Sequence, residues 1–152
     1  MSTALTVPVP ELVRTSEAML AKIFRVQEEM LKTPDPEILT EHVLHGGMYS
    51  RTVTLPAGMV LIGALIKKST LVITVGSAKV LLNDEWAEIR GYHVFPGSAG
   101  RKQVFVALSP LVITMIFPTS ARTVEQAEEE FTDEAELLMS RRQANVVTVT
   151  GE

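Results

Sequence analysis

The chain contains no cysteine. Disulfide bonds, zinc sites built from thiolates and cysteine nucleophiles are therefore excluded from the outset. A chain without thiols also suits a reducing compartment, so we expect a cytoplasmic protein rather than a secreted one.

Long apolar runs are missing as well. None of the 152 residues belongs to an uninterrupted apolar stretch of about 18 residues, so we expect no membrane-spanning helix and no membrane partner. The first ten residues lack a basic cluster followed by an apolar core, which argues against a secretory signal. The length fits one domain with a buried core.

Aromatic residues make up only 5% of the chain, and they are not interleaved with Lys and Arg. Proteins that bind single-stranded nucleic acid place aromatic side chains beside basic ones as stacking platforms. The net charge of −4 also opposes a phosphate backbone. We therefore expect no nucleic-acid partner.

The charge is distributed unevenly along the chain. Residues 42–122 hold eight Lys and Arg against three acids, whereas residues 123–152 hold two bases against eight acids. A basic centre with an acidic arm can hold an anionic ligand, or the acidic arm of another copy. The plainer alternative is that strands expose Lys and Arg to solvent while helices expose Glu. The sequence leaves both interpretations open.

The first part of the chain has a helical pattern. Residues 10–32 carry apolar side chains at three- and four-residue intervals, which predicts an amphipathic helix. Pro34 and Pro36 should end it. From His42 onward the period changes to that of short strands separated by Pro and Gly turns, as in an all-β sandwich or barrel.

The end of the chain has helical signals again. Thr123 followed by Gln126 fits a capping box, which predicts a helix start. A further helix is expected from Thr132, and residues 143–152 form a short β-prone tail that we expect to contact another subunit.

The predicted strands should supply the apolar core because their residues lie in β-rich runs bounded by turns. The residues expected to contribute to it are Ile66, Val72, Ile73, Val104, Val106, Ile113 and Met115.

Three segments carry a resemblance to a known family. Residues 41–52 lead into the Pro-x-Gly turn Leu55-Pro56-Ala57-Gly58, and residues 91–97 read Gly-Tyr-His-Val-Phe-Pro-Gly. These resemble the two motifs of the cupin superfamily. The ending, residues 128–142, is similar to the helical tails of small cupin-like proteins of tailed bacteriophages.

The resemblance implies a fold and a domain organisation. We expect an all-β core, a cupin-like jelly-roll β-barrel, over residues 41–120. An arm with the amphipathic helix should precede it at residues 1–40, and a C-terminal helical arm with its tail should follow at residues 121–152.

Metal-dependent cupins carry two histidines and a glutamate on the strand after the first Pro-x-Gly turn. Residues 50–83 of this chain contain no His, Asp, Glu or Cys. A divalent metal needs imidazole, carboxylate or thiolate ligands. We therefore expect no metal site, no cofactor and no catalytic residue of the metal-dependent kind.

Four residues are candidates for a ligand site. Lys67 and Lys68 occupy the place of the family's metal ligands, although as neighbours on a strand at most one should point into the barrel. Arg101, followed by Lys102, replaces the histidine of the second motif, and arginine suits bidentate binding of carboxylate or phosphate. His93 precedes that turn and could act as a base. A solvated or structural role is the open alternative for each.

His42 and His45 are three residues apart and lie next to Gly46-Gly47. On a strand this odd spacing places two side chains on opposite faces. A paired metal site at these histidines is therefore not expected.

Two function hypotheses follow. The first is a non-catalytic, metal-free phage accessory or virion-associated protein, located in the bacterial host cytoplasm or the virion, with other virion proteins as candidate partners. The second is a metal-independent binder or isomerase-type enzyme for a small anionic ligand such as a nucleotide or activated sugar. A barrel packed solid with apolar residues favours the first, and a polar, basic cavity favours the second. An enzyme is the less favoured of the two classes.

The apolar stripes of both arms predict self-association. Exposed apolar patches commonly mark interfaces, and two-fold assemblies are the commonest homo-oligomers. We therefore expect a homodimer in which the acidic arms contact the basic centre of a neighbouring copy.

Overall fold

The computed structural model describes residues 11–152. These residues form two α-helices, two short 3₁₀ turns and ten strands, joined by loops. The helices are α1 (Glu17–Met30) and α2 (Val124–Phe131), and the 3₁₀ turns are Ala135–Leu137 and Met139–Arg141. The strands are β1 (Thr40–His45), β2 (Met48–Leu55), β3 (Val60–Ile62), β4 (Thr70–Val75), β5 (Ala78–Leu82), β6 (Glu85–Ile89), β7 (Tyr92–Gly97), β8 (Val104–Ala107), β9 (Leu111–Pro118) and β10 (Asn145–Val149).

The strands form two sheets that pack face to face. The six-stranded sheet has the order β10-β1-β2-β9-β4-β7, and the four-stranded sheet has the order β3-β8-β5-β6. Inward side chains from both sheets, among them Leu55, Phe95, Phe105 and Leu111, form one apolar core. The predicted fold class is thereby confirmed: an all-β jelly-roll barrel with an N-terminal helix and a C-terminal helical arm.

Helix α1 begins later than the pattern predicts. The Ser16 hydroxyl caps it by accepting a hydrogen bond from the Met19 N–H, and a serine in this position satisfies an otherwise free backbone donor. Before it, the Leu12 N–H donates to the Pro96 carbonyl over 2.9 Å, so this segment runs beside β7. The prediction of a helix over residues 10–32 is wrong at its start, and residue 10 itself lies outside the described residues.

Helix α1 covers the outer face of the four-stranded sheet. Its buried side chains Met19 and Ile23 pack against Ile62, Leu81 and Val104. In residues 11–152 no helix is long and apolar enough to span a membrane.

Helix α2 begins at the predicted cap. The Thr123 hydroxyl accepts from the Gln126 N–H over 3.1 Å. The helix expected from Thr132 does not form, because the Thr132 hydroxyl accepts from the Glu134 N–H and Leu138 is extended, with ψ near 138°. Two 3₁₀ turns stand there instead.

The C-terminal tail pairs with its own barrel. Strand β10 lies parallel to β1, with Asn145 opposite Thr40 and Val149 opposite Leu44. The tail expected to contact another subunit is thus used within the chain, at the edge of the six-stranded sheet.

The expected core residues do not all face inward. Ile73 and Val106 alternate with buried neighbours and lie on the outer faces of the two sheets, which corrects the prediction for both. The others are buried or partly buried in one of the three apolar clusters: Ile66, Val72, Val104, Ile113 and Met115.

Candidate ligand cavity

The segment that leads into β8 alternates between the barrel interior and helix α1. Arg101, Gln103 and Phe105 line the interior. Lys102 and Val104 contact α1 on the other side. Successive residues of an extended chain point to opposite faces, so this short segment places an arginine, an amide and an aromatic ring in a row inside the barrel.

A cavity of about 250 Å³ lies inside the barrel, beneath the C-terminal arm. Its wall is mostly apolar, with Val53, Leu61 and Phe105 from the strands and Leu138 and Met139 from the arm. Sites for drug-sized ligands measure about 300–1,000 Å³. The cavity therefore suits a smaller molecule.

Polar residues interrupt the wall at a few points. Within the described part of the chain the wall contains no histidine, and its carboxylates are Asp35 and Glu134. Residues 11–152 also bring no three His, Asp or Glu side chains together in a group suited to a metal ion. The remaining charged and amide residues of the wall are Gln27, Arg51, Arg101, Gln103 and Arg142.

Arg101 is held in the wall by neutral acceptors. Its guanidinium donates from Nη2 to the Thr70 hydroxyl over 2.6 Å, and from Nη1 to the Ser98 carbonyl over 3.0 Å and the Lys68 carbonyl over 3.3 Å. The residue is 2% exposed. None of its hydrogen-bond partners in residues 11–152 is a carboxylate.

The other buried cations at this end of the barrel are neutralised. Arg51 lies 2.7 Å from Glu128, and Lys102 lies 3.1 Å from Glu134. Burial lowers the pKa of Arg101 to about 10, so it is still charged at neutral pH. Burying a charge without a counter-charge lowers the stability of the fold by roughly several kcal/mol. An anion bound in the cavity would offset that cost.

Two amide oxygens of the wall lack hydrogen-bond donors. The Oε1 atoms of Gln103 and Gln27 are buried and unpartnered within the described residues. An unsatisfied buried acceptor costs about 1–3 kcal/mol. Both oxygens are shielded from solvent, so a hydroxyl or N–H group on a ligand would reach either of them after a shift of the amide.

A buried network fixes Arg51 on β2, directly across from Met115 on β9, whose sulfur also contacts Arg101. The His42 Nε2–H donates to the Asn145 Oδ1 over 2.7 Å, so in the neutral ring Nδ1 accepts from the Tyr49 hydroxyl over 2.7 Å. Burial lowers the pKa of His42, so it is neutral, and burial raises the pKa of Tyr49 to about 12. Arg51 donates to the Tyr49 hydroxyl over 3.3 Å. His45 lies on the opposite, exposed face, as its spacing predicts.

The structure does not bring the four predicted ligand residues together. Arg101 lines the cavity, but Lys67 and Lys68 do not. The Lys67 ammonium lies 2.7 Å from Asp133, and Lys68 pairs with Glu130. The Lys67 side chain is exposed, whereas Lys68 is partly buried, with its ammonium 4.6 Å from the centre of the Phe117 ring. Both lysines are paired with carboxylates of the C-terminal arm.

His93 also lies away from the cavity. Its Nε2 contacts the Arg90 carbonyl at 2.7 Å, and its ring stacks on Phe95 with centroids 5.3 Å apart. Sequence reasoning missed Gln103, Gln27 and Arg51. The alternation that follows Arg101 was a signal for Gln103, whereas nothing in the pattern indicates that α1 contributes Gln27.

No protein-family model and no curated protein matches this sequence. Among solved structures it is similar to a cupin superfamily protein from Desulfitobacterium hafniense, with 12% identity, a TM-score of 0.48, and coverage of 75% of this chain and 100% of that one. It is also similar to KdgF from Halomonas sp., with 22% identity, a TM-score of 0.46, and coverage of 57% and 84%.

A third similar structure is an uncharacterised protein with a double-stranded β-helix domain from Klebsiella pneumoniae. Its identity is 9% and its TM-score is 0.47, over 80% of this chain and 93% of that one. This chain's own strand order places six and four strands in two facing sheets.

Proposed function

We propose that this protein is a metal-independent binder of a small organic acid, held inside the barrel with its acidic group at Arg101. The observation that carries the proposal is a buried, charged guanidinium in the wall of an apolar cavity, with neutral hydrogen-bond partners only among the described residues. Arginine binds carboxylate and phosphate through paired N–H groups.

The wall residues other than Arg101 indicate the chemistry of the ligand beyond its acidic group. Leu61, Phe105 and Ile113 offer apolar contact to its body. The unpartnered oxygens of Gln103 and Gln27 would accept hydrogen bonds from a hydroxyl or N–H group. The ligand class is thus a small acid with an apolar body and at least one hydrogen-bond donor.

The open cavity favours a binding function over a purely structural role, for which the barrel interior would be filled. A role as a phage structural module predicts an interior packed solid with apolar side chains, and this interior holds about 250 Å³ of space beside a cation. Binding is also favoured over catalysis, since Glu134, a carboxylate of the wall, is already paired with Lys102.

Calorimetric titration with matched acids and amides tests the proposal. Mandelate and 3-phenyllactate, which carry a hydroxyl beside the carboxylate, would each be compared with the corresponding neutral primary amide. The acids should bind and the amides should bind at least tenfold more weakly, because a hydrogen bond to a charged group contributes about 1.5–3 kcal/mol.

Substitutions separate the site from general charge effects. Arg101→Gln should abolish the preference for the acid, and Arg101→Lys should retain part of it. Lys79→Gln removes an exposed lysine on β5 and is the matched control. Equal binding of acid and amide by the wild type, or an unchanged preference in Arg101→Gln, would overturn the proposal.

A further inference from the structure

The two sheets differ in what covers their outer faces. Helix α1 covers the four-stranded sheet through Met19 and Ile23. Within the described residues no element covers the six-stranded sheet, and apolar side chains such as Leu71, Val75 and Val94 are exposed there. A solvated face of an antiparallel sheet normally alternates to polar side chains.

The part of this outer face formed by β2, β9, β4 and β7 lacks charge. Every outward position on these four neighbouring strands is an uncharged residue, whereas Glu41 and His45 face outward on β1. One row across the sheet consists of Thr52, Thr114, Ile73 and Val94, with the Thr52 and Thr114 hydroxyls 2.8 Å apart. On β5 and β6 of the other sheet, by contrast, the exposed Lys79 pairs across the strands with Glu88.

We propose that two copies of the chain associate through this outer face, sheet against sheet. A two-fold interface brings a patch against its own copy, so like charges on it would repel. A flat, uncharged face of β-branched and threonine residues has no such repulsion, and sheets stack in this way about 10 Å apart.

The size of this four-strand face agrees with a small, reversible dimer. Four strands spaced about 4.8 Å apart, with about seven residues of 3.3 Å rise each, give a footprint of roughly 440 Å² before the relief of the side chains is counted. A standard interface buries about 800 Å² on each partner, and smaller ones belong to weaker complexes. This surface is independent of the ligand cavity.

This arrangement differs from the dimer predicted from the arms. Lys67, Lys68 and Lys102 of the barrel are already paired with Asp133, Glu130 and Glu134 of the same chain. The charge complementarity between barrel and arm is therefore satisfied within one copy, and it leaves the uncovered sheet face for the contact between copies.

The test is sedimentation of the full chain over a range of about 1–100 µM, compared with two lysine variants. Ile73→Lys places a charge in the middle of the uncharged face. Val60→Lys places one at an exposed valine of the other sheet and is the matched control. The wild type and Val60→Lys should be dimers, and Ile73→Lys should be a monomer with unchanged circular dichroism.

Two outcomes would contradict a dimer formed through this face. A wild type that is monomeric at 100 µM would overturn the proposal, and so would a dimer that persists in Ile73→Lys. Thr114→Lys, on the neighbouring strand, provides a second variant if Ile73→Lys fails to fold, and it should give the same monomer.

Discussion

Gly97 lies directly against the guanidinium of Arg101. A Cβ added at position 97 would lie 2.6 Å from the Arg101 Cζ and 2.8 Å from Nη1. Real Cβ contacts are not this short, so glycine is required here by the close approach of a side chain. We expect Gly97→Ala to push the guanidinium away from Thr70 and to weaken acid binding at least tenfold in calorimetric titration, about 1.4 kcal/mol.

Gly63→Ala is the matched control for the stability of that variant. A Cβ at position 63 would meet only the Gln103 carbonyl, at an ordinary 3.5 Å. The thermal midpoint should fall in Gly97→Ala and change little in Gly63→Ala. Unchanged acid affinity in Gly97→Ala would show that the position of the guanidinium does not matter for binding.

Glu128 should make the protein sensitive to acid. Burial alone raises the pKa of its carboxyl, but hydrogen bonds from Ser140, Arg141 and Arg51 outweigh burial and hold the pKa below its usual value of 4.5. The stability that this carboxylate contributes is therefore present above about pH 4.5 and is lost as the pH falls through the lower folded pKa. Urea unfolding at pH 7 and at successively lower pH would measure the loss.

Glu128→Gln should remove this part of the acid dependence and lower stability at pH 7. The carboxyl is 1% exposed and contacts Arg51 and Arg141, and breaking a buried pair costs about 3–5 kcal/mol. Glu129→Gln changes an exposed neighbour on the same helix and should have little effect. An acid dependence that is identical in Glu128→Gln and the wild type would contradict this account.

The fold was predictable because its signals are local. Thr123 is a cap that acts within one turn, and the strand runs between Pro and Gly turns predict an all-β sandwich or barrel without knowledge of distant contacts. The site was predictable only in part. The sequence indicates Arg101 as a candidate, and Arg101 lines the cavity. Alternation along an extended chain places Gln103 on the same side and Lys102 on the other.

The remaining differences come from contacts between distant parts of the chain. Lys67 and Lys68 lie outside the cavity wall and pair with Asp133 and Glu130 of the acidic arm. Local periodicity contains no information about which side of the barrel an arm will cover. The basic centre and the acidic arm compensate each other within one copy, through the pairs of Lys67, Lys68 and Lys102 with carboxylates of the arm.

Lys102 and Glu134 should be energetically coupled. The Lys102 ammonium is fully buried, 3.1 Å from Glu134 and 4.6 Å from the centre of the Phe24 ring. Lys102→Met leaves Glu134 without its cation, so we expect a loss of about 3–5 kcal/mol. Burial lowers the pKa of Lys102, although the Glu134 charge and hydrogen bond oppose that shift.

A double-mutant cycle with Glu134→Gln measures this coupling by urea unfolding. The double variant should be less destabilised than the sum of the single variants, by about 1–3 kcal/mol. Lys67→Met paired with Asp133→Asn is the control, because that pair is exposed and should show at most about 1 kcal/mol. Additivity at Lys102 and Glu134 would mean that the ion pair contributes nothing.

Phe131 should hold the C-terminal arm on the barrel. Its ring is 1% exposed, stacks on Tyr49 at a centroid distance of 6.4 Å and meets Phe117 edge-on at 6.0 Å. We expect Phe131→Ala to cost about 3–5 kcal/mol and to expose the segment after it to limited proteolysis. Leu137→Ala, at a 38% exposed position on the same arm, is the control. Because Phe131 also lines the cavity, acid binding should weaken in the same variant, and an arm that resists proteolysis there would show that α2 is held by other contacts.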